Sequence, residues 1–244
     1  MSAAPIRLRR RLAAESVGSL LLSATVVGSG IMAERLAGGN VAVALLANTG
    51  ATVAVLAVLI ALLGPVSGAH FNPAVSFIEA LRGKLAWTEA CTYIIAQVVA
   101  CCVGALLAHF MFEIPLWQAS MHIRTGPSQW LAEAVATFGL LLVVLGHRRA
   151  DDAPWMVACW IGAAYWFTAS TSFANPAITI ARSLTNTFSG IRPTDVPAFI
   201  AAQLVGALAA LCASRALFPT RIPVVPPLTQ GSRVEHGDAD AWRP

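Results

Sequence analysis

Charge is what this chain has least of. Only 11% of its 244 residues are charged while 57% are hydrophobic, and the mean hydropathy is +0.69. Soluble globular domains carry roughly a quarter charged residues, so this composition is that of an integral membrane protein. Metal-ligand spacing is missing as well. The five cysteines, Cys91, Cys101, Cys102, Cys159 and Cys212, all fall in apolar runs, and an odd set there reads as free thiols acting as small fillers. No metal or cofactor is implied. A cleavable leader is not expected, because the run that follows Arg7, Arg9, Arg10 and Arg11 is too long for a signal peptide and reads as an uncleaved anchor. Period-two alternation is lacking too, which argues against a β-barrel.

What the chain has instead is six long apolar runs, roughly 12–33, 41–63, 88–111, 129–146, 154–171 and 196–218. At about 20 residues each they match a hydrocarbon core of ~30 Å as helices. Twelve of the 16 Lys and Arg residues fall on one side if the N-terminus is inside: Arg7, Arg9, Arg10, Arg11, Arg82, Lys84, Arg148, Arg149, Arg215, Arg221, Arg233 and Arg243. The excess of cations on the inner side places both termini in the cytoplasm of a cell that carries the protein in its inner or plasma membrane. The net charge of +4 therefore reflects topology, with no nucleic-acid patch in it.

Between the apolar runs the tripeptide Asn-Pro-Ala occurs twice, at Asn72-Pro73-Ala74 and Asn175-Pro176-Ala177. Asn caps a helix well and Pro suits its first position, so each tripeptide starts a helix. The runs from Asn72 to Gly83 and from Asn175 to Gly190 each allow a half-helix of about ten residues, at ~1.5 Å per residue half of a bilayer core. The chain is also an internal repeat. Ala14-Glu15 opens the first span and Ala132-Glu133 the fourth, while Ala96-Gln97 in the third is matched by Ala202-Gln203 in the sixth. Three spans per half make the second copy cross in the opposite sense, so residues 12–111 and 129–218 form an inverted repeat whose half-helices meet near the midplane.

The run Ser67-Gly68-Ala69-His70-Phe71-Asn72-Pro73-Ala74-Val75, the second Asn-Pro-Ala and the paired Ala-Glu and Ala-Gln positions resemble the major intrinsic protein family, the aquaporins and aquaglyceroporins. The likeness covers residues 12–218. It implies an all-α bundle of six transmembrane helices plus two re-entrant half-helices, one pore per subunit and a homotetramer in the lipid bilayer. Residues 1–11 form a cytoplasmic N-terminal tail. Residues 219–244, rich in Pro, Arg and Asp, are expected to be a disordered cytoplasmic tail.

The pore follows from the caps. If Asn72 and Asn175 spend their side-chain oxygens on their own helix starts, their amide N–H₂ groups are free to donate to a passing oxygen. Two half-helix dipoles add positive potential at the same point and disfavour cations. Backbone carbonyls of Gly68, Ala69, His70, Phe173 and Ala174 are expected to line the path, because irregular backbone at this depth must pair or face water. Resemblance implies that Glu15 and Glu133 accept hydrogen bonds from the re-entrant loops. For Glu15 a pair with Arg11 is the alternative. Gln97 and Gln203 read as interhelical hydrogen-bonders. His70 reads either as a packing histidine or as a gate. Trp87, Trp117, Trp130, Trp155, Trp160 and Trp166 read as interface anchors.

Selectivity is where the chain departs from the family. Most of its water and glycerol channels place an Arg three positions after the second Asn; here that residue is Ile178. Carrying the other filter positions over by offset gives Thr52, Ala163 and Ser172, a small and nearly neutral ring that should be wider than a strict water filter. Arg182, four residues beyond Ile178 and about 6 Å further out, is either an outer-vestibule donor or a helix-end cation. The stretch from Asn175 through Leu184 is similar to a bacterial subgroup linked to arsenic and other metalloids. The expected function is a passive channel for water and small neutral solutes, glycerol-like or metalloid hydroxides, that excludes ions. A strict water channel is the alternative. Secondary transport lacks an Asp or Glu beside either motif to couple an ion, and no enzyme constellation sits at membrane depth.

Overall fold

The computed structural model describes residues 6–147 and 149–218. The expected disordered tail at 219–244, Arg148 and the first five residues lie outside them. The described residues form eight α-helices: α1 (Leu8–Leu36), α2 (Val41–Ser67), α3 (Pro73–Leu81), α4 (Trp87–Met111), α5 (Pro127–Gly146), α6 (Ala153–Phe167), α7 (Pro176–Arg182) and α8 (Val196–Leu217). Local chemistry sets several boundaries. Asn40 Oδ1 accepts from the N–H groups of Ala42 and Val43 to start α2, which ends at Gly68 with φ of 91° in the left-handed region that glycine favours.

Five of these helices, α1, α2, α4, α5 and α8, are long and apolar enough to cross a membrane. The fifth expected span, 154–171, is shorter than the sequence reading. It is realised as α6, with 15 residues or about 22 Å at ~1.5 Å per residue. Thr168 closes it by donating its hydroxyl to Ala164 O at 2.7 Å, and Thr171 and Ser172 beyond it have φ of 59° and 50°, which no helix accommodates. The second half-helix is also shorter than the half-helix of about ten residues expected between Asn175 and Gly190: it has seven residues. After Arg182 the chain turns back on itself, with Ser183 Oγ donating to Ile180 O and Ile191 N donating to Arg182 O.

Packing repeats the halves helix for helix. α1 lies against α2 and α4, α5 lies against α6 and α8, and α3 and α7 each touch α4 and α8 and one another. Glycine permits the closest crossings. A Cβ at Gly104 would collide with the backbone of α1 at Leu20, and one at Gly206 with the backbone of α5 at Ala134. Trp87, Trp117, Trp130, Trp155 and Trp166 are exposed, as anchors would be. Trp160 is different: its Nε1 donates to Ala136 O at 2.9 Å and its ring lies over Gly139, so it packs α6 on α5.

Candidate functional site

Each half-helix starts at its asparagine. Asn72 Oδ1 accepts from Ala74 N at 2.9 Å, and Asn175 Oδ1 accepts from Ala177 N at 3.0 Å and Ile178 N at 3.3 Å. The amide nitrogens then cross between the halves. Asn72 Nδ2 donates to Ala174 O at 2.7 Å and Asn175 Nδ2 donates to Phe71 O at 2.8 Å. This corrects the expectation that both amide hydrogens are free, since one on each Asn ties the two loops and one remains. Ala174 O is likewise engaged by Asn72 instead of being available to a solute.

Behind each loop stands a fully buried glutamate. Glu15 accepts from Ser67 Oγ (2.6 Å), His70 N (3.0 Å), Phe71 N (2.8 Å) and Gln97 Nε2 (2.9 Å). Glu133 accepts from Phe173 N (2.8 Å), Ala174 N (2.9 Å) and Gln203 Nε2 (2.6 Å). Gln97 also donates to Ser76 Oγ and Gln203 to Thr179 Oγ1, residues on α3 and α7. The glutamates thus draw the loop N–H groups away from the centre and turn carbonyls the other way, which compensates buried charge with converging donors. Arg11 is not the partner of Glu15; it pairs with Glu89 at 2.6 Å. The loop conformation is strained at matching positions, three and one before each Asn: Ala69 and Phe71 (φ 49° and 46°), Ser172 and Ala174 (φ 50° and 48°). Left-handed conformations of this kind cost roughly 1–3 kcal/mol each in non-glycine residues and persist where the surroundings hold them.

A cavity of about 740 Å³ runs past both asparagines. Gly68, Ala69, His70, Phe71, Ser172, Phe173 and Ala174 line it from the loops. At one end it reaches Glu79, Arg82, His147 and Asp151, and Thr52, Ile161, Tyr165, Ile178 and Arg182 complete its wall. His70 both lines the cavity and is engaged, with Nδ1 3.0 Å from Ser76 Oγ and its ring edge-on to Tyr93. None of the five cysteines lines the cavity.

Of the four filter positions placed by offset, Thr52, Ser172 and Ile178 line the cavity and Ala163 does not. Ala163 is exposed on the outer surface of α6. At 100° per residue it lies about 200° from both Ile161 and Tyr165, which do face the cavity. The i, i+4 row Val157, Ile161, Tyr165 was the readable signal for that face. Arg182, expected either as an outer-vestibule donor or as a helix-end cation, stands on the cavity wall together with Ile178. Arg182 is only 3% exposed, lines the cavity, and has its guanidinium carbon 3.4 Å from the Phe173 ring centre, with Nε donating to Ser189 O.

The family model described as major intrinsic protein matches residues 2–168 of this chain. The protein belongs to the major intrinsic protein family. An aquaglyceroporin, AqpS, of Rhizobium meliloti (strain 1021) is 54% identical over 172 residues, covering 69% of this chain and 73% of that protein. A probable glycerol uptake facilitator of Thermotoga maritima is 33% identical over 111 residues, 39% of this chain and 47% of that protein. Among solved structures, the aquaglyceroporin of Plasmodium falciparum superposes with a TM-score of 0.66 at 18% identity, covering 87% of this chain and 98% of that one, which shows the shared fold. As a member of this family the protein is a membrane channel and not an enzyme.

Proposed function

We propose that the cavity is the conduction path for water and small neutral hydroxylic solutes, glycerol and metalloid hydroxides among them, and that Thr52, Ile161, Tyr165, Ser172, Ile178 and Arg182 form its filter. The observation that carries this reading is the two-sided wall at the Arg182 end. Ile161, Ile178 and Phe173 present hydrocarbon, while Thr52, Tyr165, Ser172 and Arg182 present hydroxyls and guanidinium. A polyol or a metalloid hydroxide has both kinds of surface, and an apolar wall alone would give no replacement for lost hydration. Ser172 Oγ is buried without a hydrogen-bond partner beside that wall. At the midplane the remaining N–H of Asn72 and of Asn175 donate to the passing oxygen, and the half-helix dipoles disfavour cations there. The loop carbonyls of Gly68, Ala69, His70 and Phe173 supply acceptors along the way.

The Arg182 end is the outer mouth and the Glu79–Arg82 end the cytoplasmic one, in keeping with the cation asymmetry of the loops. Four copies assemble, each with its own pore, as the family resemblance implies. In proteoliposomes the unmodified protein should pass glycerol and arsenite as well as water, down their own gradients alone. Ile178→Arg narrows the opening and adds donors, so the ratio of glycerol flux to water flux should fall. Water flux alone in the unmodified protein, or an unchanged ratio in Ile178→Arg, overturns the wide-filter reading.

A further inference from the structure

The loop between α4 and α5 carries a cation into the same neighbourhood. Arg124 is half-buried, and its guanidinium carbon lies 5.2 Å from the centre of the Phe173 ring, the ring that also carries Arg182. Three bonds fix it. Its Nε donates to Gly190 O at 2.8 Å, its Nη1 to Ser170 O at 3.2 Å, and its backbone N to Asp195 Oδ2 at 2.9 Å. Ser170 and Gly190 lie on either side of the second re-entrant segment, so one side chain clasps the chain before and after α7.

Neither guanidinium has a carboxylate in direct ion-pair contact. The ion pairs among the described residues are Arg11–Glu89, Arg82–Glu79 and Arg192–Asp195. The Arg124 and Arg182 side chains instead meet backbone carbonyls and one phenyl ring. Of the carboxylates near them, Asp195 is committed to Arg192 at 2.8 Å and takes only the main-chain N–H of Arg124. Glu133 attracts both guanidiniums from a distance but spends its oxygens on Phe173 N, Ala174 N and Gln203 Nε2. Two positive charges sharing one ring within a buried mouth repel each other. Holding them there costs energy that the carbonyls and the ring offset, and the result is a standing positive potential.

We propose that Arg124 is a specificity-determining residue of the channel: it does not line the cavity, yet its charge, added to that of Arg182 across Phe173, forms the outer cation barrier. With Ile178 in the filter, that barrier stands on two displaced arginines. The proposal rests on the Arg182 end being the outer mouth of a neutral-solute channel.

The test uses the full chain in proteoliposomes and reads K⁺ and proton leak divided by glycerol flux. Arg124→Gln removes the charge while retaining an amide donor, and the ratio should rise several-fold. Arg124→Lys keeps the charge and loses the fork, so flux should fall while the ratio stays near that of the unmodified protein. The double variant Arg124→Gln/Arg182→Gln should leak more than either single one, and Arg35→Gln, which removes an exposed cation of the same side, should not leak. An unchanged ratio in Arg124→Gln overturns the proposal. So does an equal rise in Arg124→Lys, which would make Arg124 a brace only. If Arg124→Gln fails to assemble, Arg124→Met, which removes the charge and keeps the length of the stem, takes its place with the same expected rise and the same overturning result. Absence of glycerol flux in the unmodified protein would instead overturn the channel reading beneath it.

Discussion

The two re-entrant loops are alike at the asparagines and unlike one shell away. Glu15 and Glu133 take the loop N–H groups, Gln97 and Gln203 brace the half-helices, and Asn72 and Asn175 exchange bonds across the centre. Two residues before each Asn the halves part company. His70 is bonded to Ser76 and edge-on to Tyr93, whereas Phe173 stacks edge-on to Phe199 and holds two guanidiniums. Tyr93 and Phe199 themselves occupy matching places, four residues before Gln97 and Gln203. Arg11 over Tyr93 is neutralised by Glu89; Arg124 and Arg182 over Phe173 have no carboxylate on their side chains. The centre must serve one geometry from both sides, so its residues are matched. The mouths face different surroundings, and substitution at the same few slots gives each its own chemistry.

The largest expected effect comes from breaking the matched part. Replacing Glu133 by Ala strands two buried main-chain N–H groups and one of the two N–H groups of the Gln203 amide, and at ~1–3 kcal/mol for each unsatisfied donor the loss is about 3 kcal/mol or more. Glu15→Ala should lose at least as much, since Glu15 accepts four bonds. Thermal unfolding in detergent should show both variants destabilised, Glu15→Ala at least as much as Glu133→Ala, and a clearly larger loss in Glu133→Ala would mean that the halves are less alike than their bonds. Asn72→Asp or Asn175→Asp is the next step down. The fold keeps its caps, but each carboxylate now faces the carbonyl that the amide had bonded and places negative charge on the path. Cation leak should appear and neutral flux should drop in both variants, measured by ion-sensitive dye and light scattering on the same vesicles.

Much of the centre was legible in the sequence because it is local. An Asn-Pro pair declares a helix start whatever surrounds it, and the repeat of Glu and Gln points to a common task. The filter was harder to read. Ala163 followed from counting back from Asn175, and a count assumes that the chain between has a fixed path, whereas α6 ends at Phe167 and Thr171 to Ala174 run through left-handed conformations. Arg124 carried no signal at all: it sits 51 positions before Asn175, and only the folded loop brings it to Phe173. Arg182 was placed on the correct face by helical spacing, but the ring that holds it was not visible.

Thiol reagents sharpen the comparison of those two expected filter positions. Ser172 is 2% exposed and lines the cavity, and Ala163 faces outward. A mercurial added outside should therefore block Ser172→Cys and leave Ala163→Cys and the unmodified protein conducting. Block of the unmodified protein would mean that Cys159 or another helix thiol reaches the path.

The smallest effect is expected at Tyr165, one of the two proposed filter residues that counting missed. Its hydroxyl lies 3.4 Å from Thr52 Oγ1, a long contact, while Thr52 already has a firm bond to Asn48 O at 2.9 Å. Removing the hydroxyl in Tyr165→Phe should thus change stability by no more than about 0.5–1.5 kcal/mol, the net worth of one ordinary hydrogen bond. The ring stays, so the width of the opening stays, and water flux should hold. What goes is one polar group from the hydroxyl-bearing wall that faces Ile161 and Ile178. Glycerol, which meets that wall with three hydroxyls, should slow relative to water by a few-fold. Tyr165→Ala is the contrasting variant: it removes the ring as well, widens the mouth and should speed glycerol. If Tyr165→Phe and Tyr165→Ala shift the glycerol-to-water ratio in the same direction, width alone governs selection at this end and the polar wall has no part in it.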